Sequence, residues 1–276
     1  MSRYTTWADL SHPGDATDFF GRRTVAAFDP SATTWSVANA VCLMELSRLV
    51  YRHDVEEDTP PPMPTRSMYL ANNGFRQLRF FQDAPTGTAA FLVESTYAPA
   101  FAVLAFRGTE VKIQDYVTDL KVGKPPLDST DVVVHEGFKL ALDAVWSEIA
   151  AALEKLTCPV FFTGHSLGAA LATLAAARRA PTAVYTFGSP YVGDQAFVDS
   201  LAGVPIFRCK DDIDIVTVVP PEDWGFRHVG ELHHFLKPKR PFTLNLADWL
   251  AWFREPPRFL ADHTPINYTD RIGNEG

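Results

Sequence analysis

The sequence predicts an α/β protein with one mostly parallel central sheet and helices on both of its faces. Apolar strand-like runs alternate with helical segments along most of the chain, a pattern typical of parallel sheets. The stretch TGHSLG at 163–168 joins one such strand to one such helix with almost no turn residues between them. The chain has 276 residues, 46% of them hydrophobic, and shows no break in composition. We therefore expect a single domain over residues 1–276.

The individual elements follow from the spacing of the apolar residues. Alternating or continuous apolar runs predict strands, and apolar residues three and four apart predict helices. An early helix carries Cys42 on its apolar face, together with Trp35, Ala38, Leu46 and Leu49. The later elements, in chain order, are strands at Leu78–Gln82, Ala89–Glu94 and Phe101–Phe106, a helix at Phe138–Leu156, a strand at Pro159–Phe162, a helix at Leu167–Ala177, a strand at Ala183–Phe187, a helix at Gln195–Leu201, strands at Pro205–Cys209 and Glu231–Phe235, and a helix at Asn245–Arg254.

The tight strand-to-helix turn places a serine between two glycines. Gly164 and Gly168 lack a Cβ, so the strand and the helix can approach closely there, and Ser166 is forced into a strained conformation. This is the G-x-S-x-G pattern of a nucleophile elbow. Glycines also occur in ordinary strand-to-helix turns, so a catalytic interpretation requires a base, an acid and an oxyanion hole elsewhere in the chain.

A nucleophilic serine needs a histidine base oriented by a carboxylate. After an elbow serine the acid and then the base follow in the chain, which leaves four of the eight histidines. His263 lies late in the chain, in the loop signal ADHTP, and is the preferred base. His228, His233 and His234 fit half-buried or surface positions in or near a strand. The side chain of His165, next to the serine, is expected to point to another part of the turn.

The acid is expected after the strand that follows the elbow unit. The segment 207–216 offers Asp211, Asp212 and Asp214. Asp211 and Asp212 begin the loop and are interpreted as solvated turn residues. Asp214 lies between apolar residues, where pairing with an imidazole would offset the cost of burying its charge. This pattern favours Asp214 over Asp212.

An ester carbonyl under attack develops negative charge on oxygen, which two fixed N–H donors usually receive. The backbone N–H of Leu167 begins the helix after Ser166, where the helix dipole also favours negative charge. A second donor is expected in the loop 107–110, which closes the strand Phe101–Phe106.

Several ordered motifs resemble the class 3 lipase family, the fungal-type triacylglycerol lipases. They are FRGT at 106–109, VHEGF at 134–138, TGHSLGAALA at 163–172, YTFGSPYVGD at 185–194, DIV at 214–216 and DH at 262–263. The resemblance covers roughly Phe101 to the C-terminus. It implies an α/β-hydrolase fold, carboxylic ester hydrolysis, and a triad of Ser166, Asp214 and His263. It also implies that Thr109 and Leu167 form the oxyanion hole. Arg107 and His135 belong to the same motifs, and we interpret both as structural, because neither position suits the chemistry.

In this family the segment after the oxyanion strand forms a short helical lid. Here that segment begins at Glu110 and ends near Leu120, and its apolar residues are Val111, Ile113, Tyr116 and Val117. Charged and amide residues interrupt them, so the apolar face is only moderate. We therefore expect a preference for short to medium acyl chains and weak interfacial activation, with a polar helix that stays in place as the alternative.

Composition limits the partners. A net charge of −8 disfavours nucleic acid and anionic membrane surfaces, and no run approaches the roughly 18 apolar residues of a membrane span. The expected partner is a small-molecule or lipid ester, with transient contact to a lipid interface. Neither a metal nor another cofactor is expected. No signal peptide is visible and the three cysteines are far apart, which suggests a cytoplasmic protein or a trimmed secreted one.

Three other functions compete with ester hydrolysis by this chain. Feruloyl-type ester cleavage and acyl transfer to an alcohol use the same fold and chemistry. A binding protein that has lost catalysis is the third, but such relatives typically lose a member of the triad, whereas all three residues are present here.

Overall fold

The computed structural model describes residues 5–23, 27–109, 123–128, 131–237 and 255–272. Within these ranges seven strands form one sheet in chain order. The first two pairings are antiparallel and the other four are parallel, which confirms the predicted mostly parallel sheet. The strands are Phe75–Asp83 (β1), Thr88–Ser95 (β2), Ala102–Phe106 (β3), Val160–His165 (β4), Ala183–Phe187 (β5), Ile206–Asp211 (β6) and Glu231–Phe235 (β7).

Helices cover both faces of the sheet, as predicted. One apolar layer packs the helices Val37–Leu49 and Pro265–Arg271 against the sheet, and the other packs the helices Glu136–Leu153 and Leu167–Arg178 against the opposite face. Because both faces are covered, the central parallel strands are almost entirely buried. The α-helices of the described residues are Trp7–Ser11 (α1), Val37–Leu49 (α2), Arg66–Asn72 (α3), Glu136–Leu153 (α4), Leu167–Arg178 (α5), Gln195–Ser200 (α6), Arg258–Ala261 (α7) and Pro265–Arg271 (α8).

Helix α2 confirms the core position of Cys42 but corrects the start of the predicted helix. Ser36 caps the helix, because its side chain accepts a hydrogen bond from the Asn39 N–H. Trp35 therefore precedes the helix, where its ring stacks on His233 at 3.7 Å between ring centroids. Cys42 is buried, and burial raises the pKa of its thiol to about 12.

Two element boundaries differ from the predicted ones. Strand β6 extends to Asp211, because Lys210 and Asp211 pair with β7. Helix α4 ends at Leu153, and Leu156 packs against the core from the turn that follows. The predicted helix Asn245–Arg254 lies outside the described residues. The single domain over 1–276 stays a prediction.

The parallel strands bring their carboxyl ends to one edge of the sheet. In open parallel sheets this edge carries the working loops. The segments that follow β3, β4 and β6 hold the predicted oxyanion, elbow and acid residues. No helix of the described ranges is long and apolar enough to cross a membrane.

Candidate active site

Ser166 occupies the strained turn that the two glycines permit. Its backbone angles are φ 59° and ψ −127°, a region that L-residues rarely adopt. A Cβ added to Gly164 would lie 2.3 Å from the Gly168 carbonyl oxygen, and one added to Gly168 would lie 2.2 Å from the Phe106 carbonyl oxygen. Only glycine fits at these two positions, so the close packing of β4, α5 and β3 has the geometry of the predicted elbow.

Backbone contacts bring the elbow close to the segment after β5. The Ser166 N–H donates to the Phe187 carbonyl at 3.0 Å. The next residue, Gly188, has φ 63°, and a Cβ there would lie 2.8 Å from Asp214 Oδ2 and 3.0 Å from His263 Nδ1. The structure therefore gathers Ser166, Asp214 and His263 at one edge of the sheet.

Asp214 and His263 form a fully buried pair. His263 Nδ1 lies 3.0 Å from Asp214 Oδ1 and 2.9 Å from Oδ2. Because a carboxylate only accepts, the proton of a neutral imidazole lies on Nδ1, and Nε2 is left as an acceptor. Asp214 also accepts from the Val216 N–H at 2.9 Å and from the Tyr268 hydroxyl at 2.6 Å. These bonds satisfy a carboxylate that is only 1% exposed.

His263 Nε2 is buried and makes no hydrogen bond within the described part of the chain. The bond from Ser166 Oγ to this nitrogen is therefore not formed in this structure. Catalytic hydrogen bonds are often long in unliganded enzymes and tighten when substrate binds. With the proton of a neutral ring on Nδ1, Nε2 has the free lone pair that a general base requires.

The loop after β3 lies against the elbow. A Cβ added to Gly108 would lie 2.7 Å from the His165 carbonyl oxygen and 3.2 Å from Ser166 Cβ. The next residue, Thr109, has a buried hydroxyl with no hydrogen-bond partner among the described residues. Leu167 begins helix α5, and the first N–H groups of a helix have no acceptor inside it. Both predicted oxyanion donors thus flank Ser166 in the chain or in space.

The acidic residues before Asp214 are not solvated turn residues, which corrects the sequence interpretation. Asp211 and Asp212 are both buried. They pair with cations from the C-terminal segment: Arg271 contacts Asp211, and Arg258 contacts Asp212. Burial raises the pKa of Asp211 to about 7, since the charged form loses its hydration. The position of Asp211 and Asp212 at the start of a loop predicted that they would be exposed. In the structure the C-terminal helices α7 and α8 cover this loop.

His165 also differs from expectation, because it points into the site. Its Nε2 lies 2.7 Å from the His263 carbonyl oxygen, and its Nδ1 lies 3.1 Å from Tyr51 Oη. The contacts of Tyr268 and Tyr51 were likewise not predicted. Each joins residues from distant parts of the chain, and no local pattern in the sequence indicated these contacts.

The remaining candidate histidines bind elsewhere. His228 donates to the Thr217 carbonyl at 2.8 Å, His234 donates to the Asp212 carbonyl at 2.8 Å, and His233 stacks on Trp35. His228 is half-buried, and burial lowers its pKa to about 3. These contacts agree with the structural roles that were expected.

Arg107 and His135, the two motif residues that we interpret as structural, have different surroundings. Arg107 pairs with Glu57 at 2.6 Å, just before the oxyanion loop. His135 is buried and stacks on Phe138 with 4.1 Å between ring centroids. These surroundings fit the structural roles that were expected for both residues. Within the described ranges, no group of three or more His, Cys, Asp or Glu is placed to hold a metal ion.

The predicted lid lies outside the described residues. This holds for Val111, Ile113, Tyr116 and Val117, and for the whole segment 110–122. The geometry of the site therefore rests on the elbow, the oxyanion loop, and the segments that carry Asp214 and His263.

Comparison with known proteins agrees with the motifs. The family model described as lipase (class 3) matches residues 103–224. The lipase of Rhizomucor miehei is 32% identical in an alignment 163 residues long, and this alignment covers 52% of this chain and 44% of the relative. The "secreted mono- and diacylglycerol lipase 1" of Fusarium solani is 35% identical in an alignment 158 residues long, which covers 52% of this chain and 46% of the relative. The chain thus spans about half the length of the curated relatives it matches.

Solved structures show the same fold. Lipase II from Rhizopus niveus superposes with a TM-score of 0.65 at 22% identity, covering 82% of this chain and 92% of that one. The Rhizomucor miehei lipase in its propeptide complex gives a TM-score of 0.55 at 27% identity, covering 60% and 58%. The family model, the ordered motifs and the shared sheet agree: residues 103–224 are similar to the class 3 lipases, and the chain has the fold of these α/β-hydrolases.

Proposed function

We propose that the chain is a serine carboxylic ester hydrolase that cleaves acyl esters such as glycerides through an acyl-enzyme on Ser166. One observation carries the proposal. The buried Asp214–His263 pair leaves His263 Nε2 unpartnered, among the described residues, at the edge of the sheet where the strained Ser166 lies. A buried acceptor without a partner lowers the stability of the fold, so its presence calls for an explanation. A role in proton transfer supplies one.

The proposed reaction has two displacements. Ser166 Oγ attacks the ester carbonyl while His263 Nε2 takes its proton, and Asp214 stabilises the imidazolium that forms. The oxyanion accepts hydrogen bonds from the Leu167 N–H, the Thr109 N–H and the Thr109 hydroxyl. When the intermediate collapses, His263 gives its proton to the leaving alcohol. Water then attacks the acyl-enzyme with His263 as base, and His263 returns that proton to Ser166 Oγ as the acid is released.

Exposed apolar side chains near the acid and base segments support contact with a lipid interface. Ile213, Val218, Trp224 and Phe259 are exposed in the segments that follow β6 or precede His263. An exposed apolar patch is typical of a surface that meets an apolar partner, and these four residues come from the two segments that carry Asp214 and His263. We propose that this contact is transient and that glyceride esters are presented from such an interface.

The acyl preference is proposed from the sequence 110–120 alone. The moderate apolar content of this segment supports short to medium acyl chains and weak interfacial activation. Rates on a soluble ester series, measured across the micellar threshold, test this. A large rise in rate at the threshold, together with preference for long chains, would reject it.

The activity itself is tested with p-nitrophenyl butyrate and p-nitrophenyl palmitate. We expect Ser166→Ala to lower kcat by roughly 10⁴-fold or more, because the nucleophile is lost. Ser200→Ala is the matched control, since Ser200 is exposed and its hydroxyl donates to the Phe197 carbonyl, away from the site. Wild-type protein that hydrolyses neither ester, or a Ser166→Ala variant as active as the control, would overturn the proposal.

A secreted setting is the compartment we propose, supported by the secreted relative of Fusarium solani. Activity measured separately in the culture medium and the cells of a native producer tests it. Retention of all activity in the cells would contradict it.

A further inference from the structure

Three segments of the site meet at one buried side chain, His165. This residue ends β4, directly before Ser166, and is 2% exposed. Its Nε2 lies 2.7 Å from the His263 carbonyl oxygen, and its Nδ1 lies 3.1 Å from Tyr51 Oη. The rings of His165 and His263 lie 4.5 Å apart between centroids. Elbow and base are therefore joined directly, not only through the catalytic side chains.

The hydrogen bonds fix the tautomer of His165. A backbone carbonyl only accepts, so His165 Nε2 carries a proton and donates to the His263 carbonyl. Burial lowers the pKa of His165 well below its ordinary value, with a smaller effect from the neighbouring His263, so the ring is neutral. Nδ1 then carries no proton and accepts the hydroxyl proton of Tyr51. The chain of donors runs in one direction, from Tyr51 through His165 to the backbone of His263.

Tyr51 also fixes the oxyanion loop. Its Oη lies only 2.0 Å from where a Cβ on Gly108 would be, so the hydroxyl fills the space that this glycine leaves. Thr109 is the next residue. Tyr51 is 3% exposed and belongs to the apolar layer around α2. A single hydrogen-bonded chain thus contacts the oxyanion loop, the elbow and the base segment.

We infer that His165 is a positioning residue of the hydrolase, held as the Nε2–H tautomer by Tyr51, and that it sets the backbone of His263 so that Nε2 of the base faces Ser166. The inference rests on the proposed function. His165 gives up no proton in either displacement, so its contribution is geometric. A misplacement of the base by about 1 Å is enough to cost about a hundredfold in rate.

A matched pair of amides tests the donor. The amide nitrogen of Gln reaches the position of imidazole Nε2, whereas that of Asn reaches only the position of Nδ1. We expect His165→Asn to lower kcat about tenfold to a hundredfold with little change in KM. We expect His165→Gln to recover most of that loss. Tyr51→Phe, which removes only the hydroxyl, should lower kcat by about three- to tenfold.

Thermal unfolding of each variant separates positioning from folding. Asn and Gln at position 165 should unfold at similar temperatures while their kcat values differ. Equal kcat in the two variants, whether both low or both like the wild type, would overturn the inference, as would a loss confined to KM.

A spectroscopic readout is independent of activity. In Ser166→Ala protein labelled with ¹⁵N-histidine, the protonated and unprotonated ring nitrogens of one histidine resonate far apart. We expect His165 to bear its proton on Nε2, and Tyr51→Phe to shift the Nδ1 resonance. A proton on Nδ1 would overturn the inference even if every variant failed to fold well enough for kinetics. If the wild type hydrolyses no ester while the tautomer is as expected, the proposed function fails and the hydrogen-bonded chain stands.

Discussion

Tyr268 Oη donates a hydrogen bond to Asp214 Oδ2 at 2.6 Å and accepts one from the Asp211 N–H at 3.1 Å. Burial, and then the charge of Asp214, raise the pKa of Tyr268 well above its ordinary value. The phenol therefore stays protonated and remains a donor. Helix α8, which carries Tyr268, thus holds the carboxylate of Asp214, 54 residues earlier in the chain, beside His263.

Removing this hydroxyl should weaken catalysis without unfolding the protein. In Tyr268→Phe the carboxylate of Asp214 loses a charge-assisted hydrogen bond worth about 1.5–3 kcal/mol, and we expect kcat on p-nitrophenyl butyrate to fall about tenfold. Tyr97→Phe is the control, because Tyr97 is exposed. The idea fails if Tyr268→Phe and Tyr97→Phe have the same kcat.

The sequence was enough to predict the sheet and the order of the site residues. Buried parallel strands are continuous apolar runs, so β4 and β5 could be recognised directly, and the elbow required glycine at both flanking positions. The pairing of Asp214 with His263 agrees with the predicted order, and their catalytic roles stay a prediction.

The supporting contacts could not be predicted, because they depend on tertiary distances. His165 reaches the His263 backbone across 98 residues, and no local pattern indicates which face of the elbow its ring takes. The burial of Asp211 could not be predicted for the same reason. Its partner Arg271 lies 60 residues later, on a helix that the apolar pattern did not indicate.

The hydroxyl of Thr109 should contribute to catalysis beyond its backbone N–H. It is buried without a partner among the described residues, so it is available to donate a hydrogen bond to an oxyanion that forms during the reaction. Thr109→Val keeps the shape and removes the hydroxyl, and we expect kcat to fall by about 10²-fold. Thr109→Ser keeps the hydroxyl and should retain most of the rate. Equal losses in both variants, in steady-state kinetics on the same ester, would show that only the backbone matters.

The strained backbone conformation of Ser166 is expected to lower the free energy of unfolding. Its φ of 59° is strained for any residue with a Cβ, and a glycine relieves that strain. We expect Ser166→Gly to be more stable than Ser166→Ala by about 1 kcal/mol, after the extra chain entropy of glycine is counted, while both lack hydrolysis. Urea unfolding of the two variants measures the difference. An Ala variant at least as stable as the Gly variant would show that the elbow holds no strain.

His135 should make the fold sensitive to acid. Both ring nitrogens are buried without a partner in the described part of the chain, and burial lowers the pKa of this residue to about 4. A lowered pKa means that the unfolded chain, with a value near 6.5, takes up the proton first as pH falls. Stability is therefore lost between about pH 6.5 and 4, by about 1–2 kcal/mol at pH 5 from this residue.

An apolar ring at position 135 should remove that loss. His135→Phe leaves no nitrogen without a partner and keeps a ring to stack on Phe138, so we expect stability near the wild type at pH 7. At pH 5 the variant should be the more stable by about 1–2 kcal/mol, because His165 and His228 titrate alike in both proteins and only the contribution of His135 is gone. Urea unfolding at the two pH values gives the comparison, with His12→Asn as the control, since His12 is exposed. If the wild type and His135→Phe lose the same free energy of unfolding between pH 7 and 5, the buried imidazole takes up its proton without cost, and its surroundings must rearrange to hydrate it.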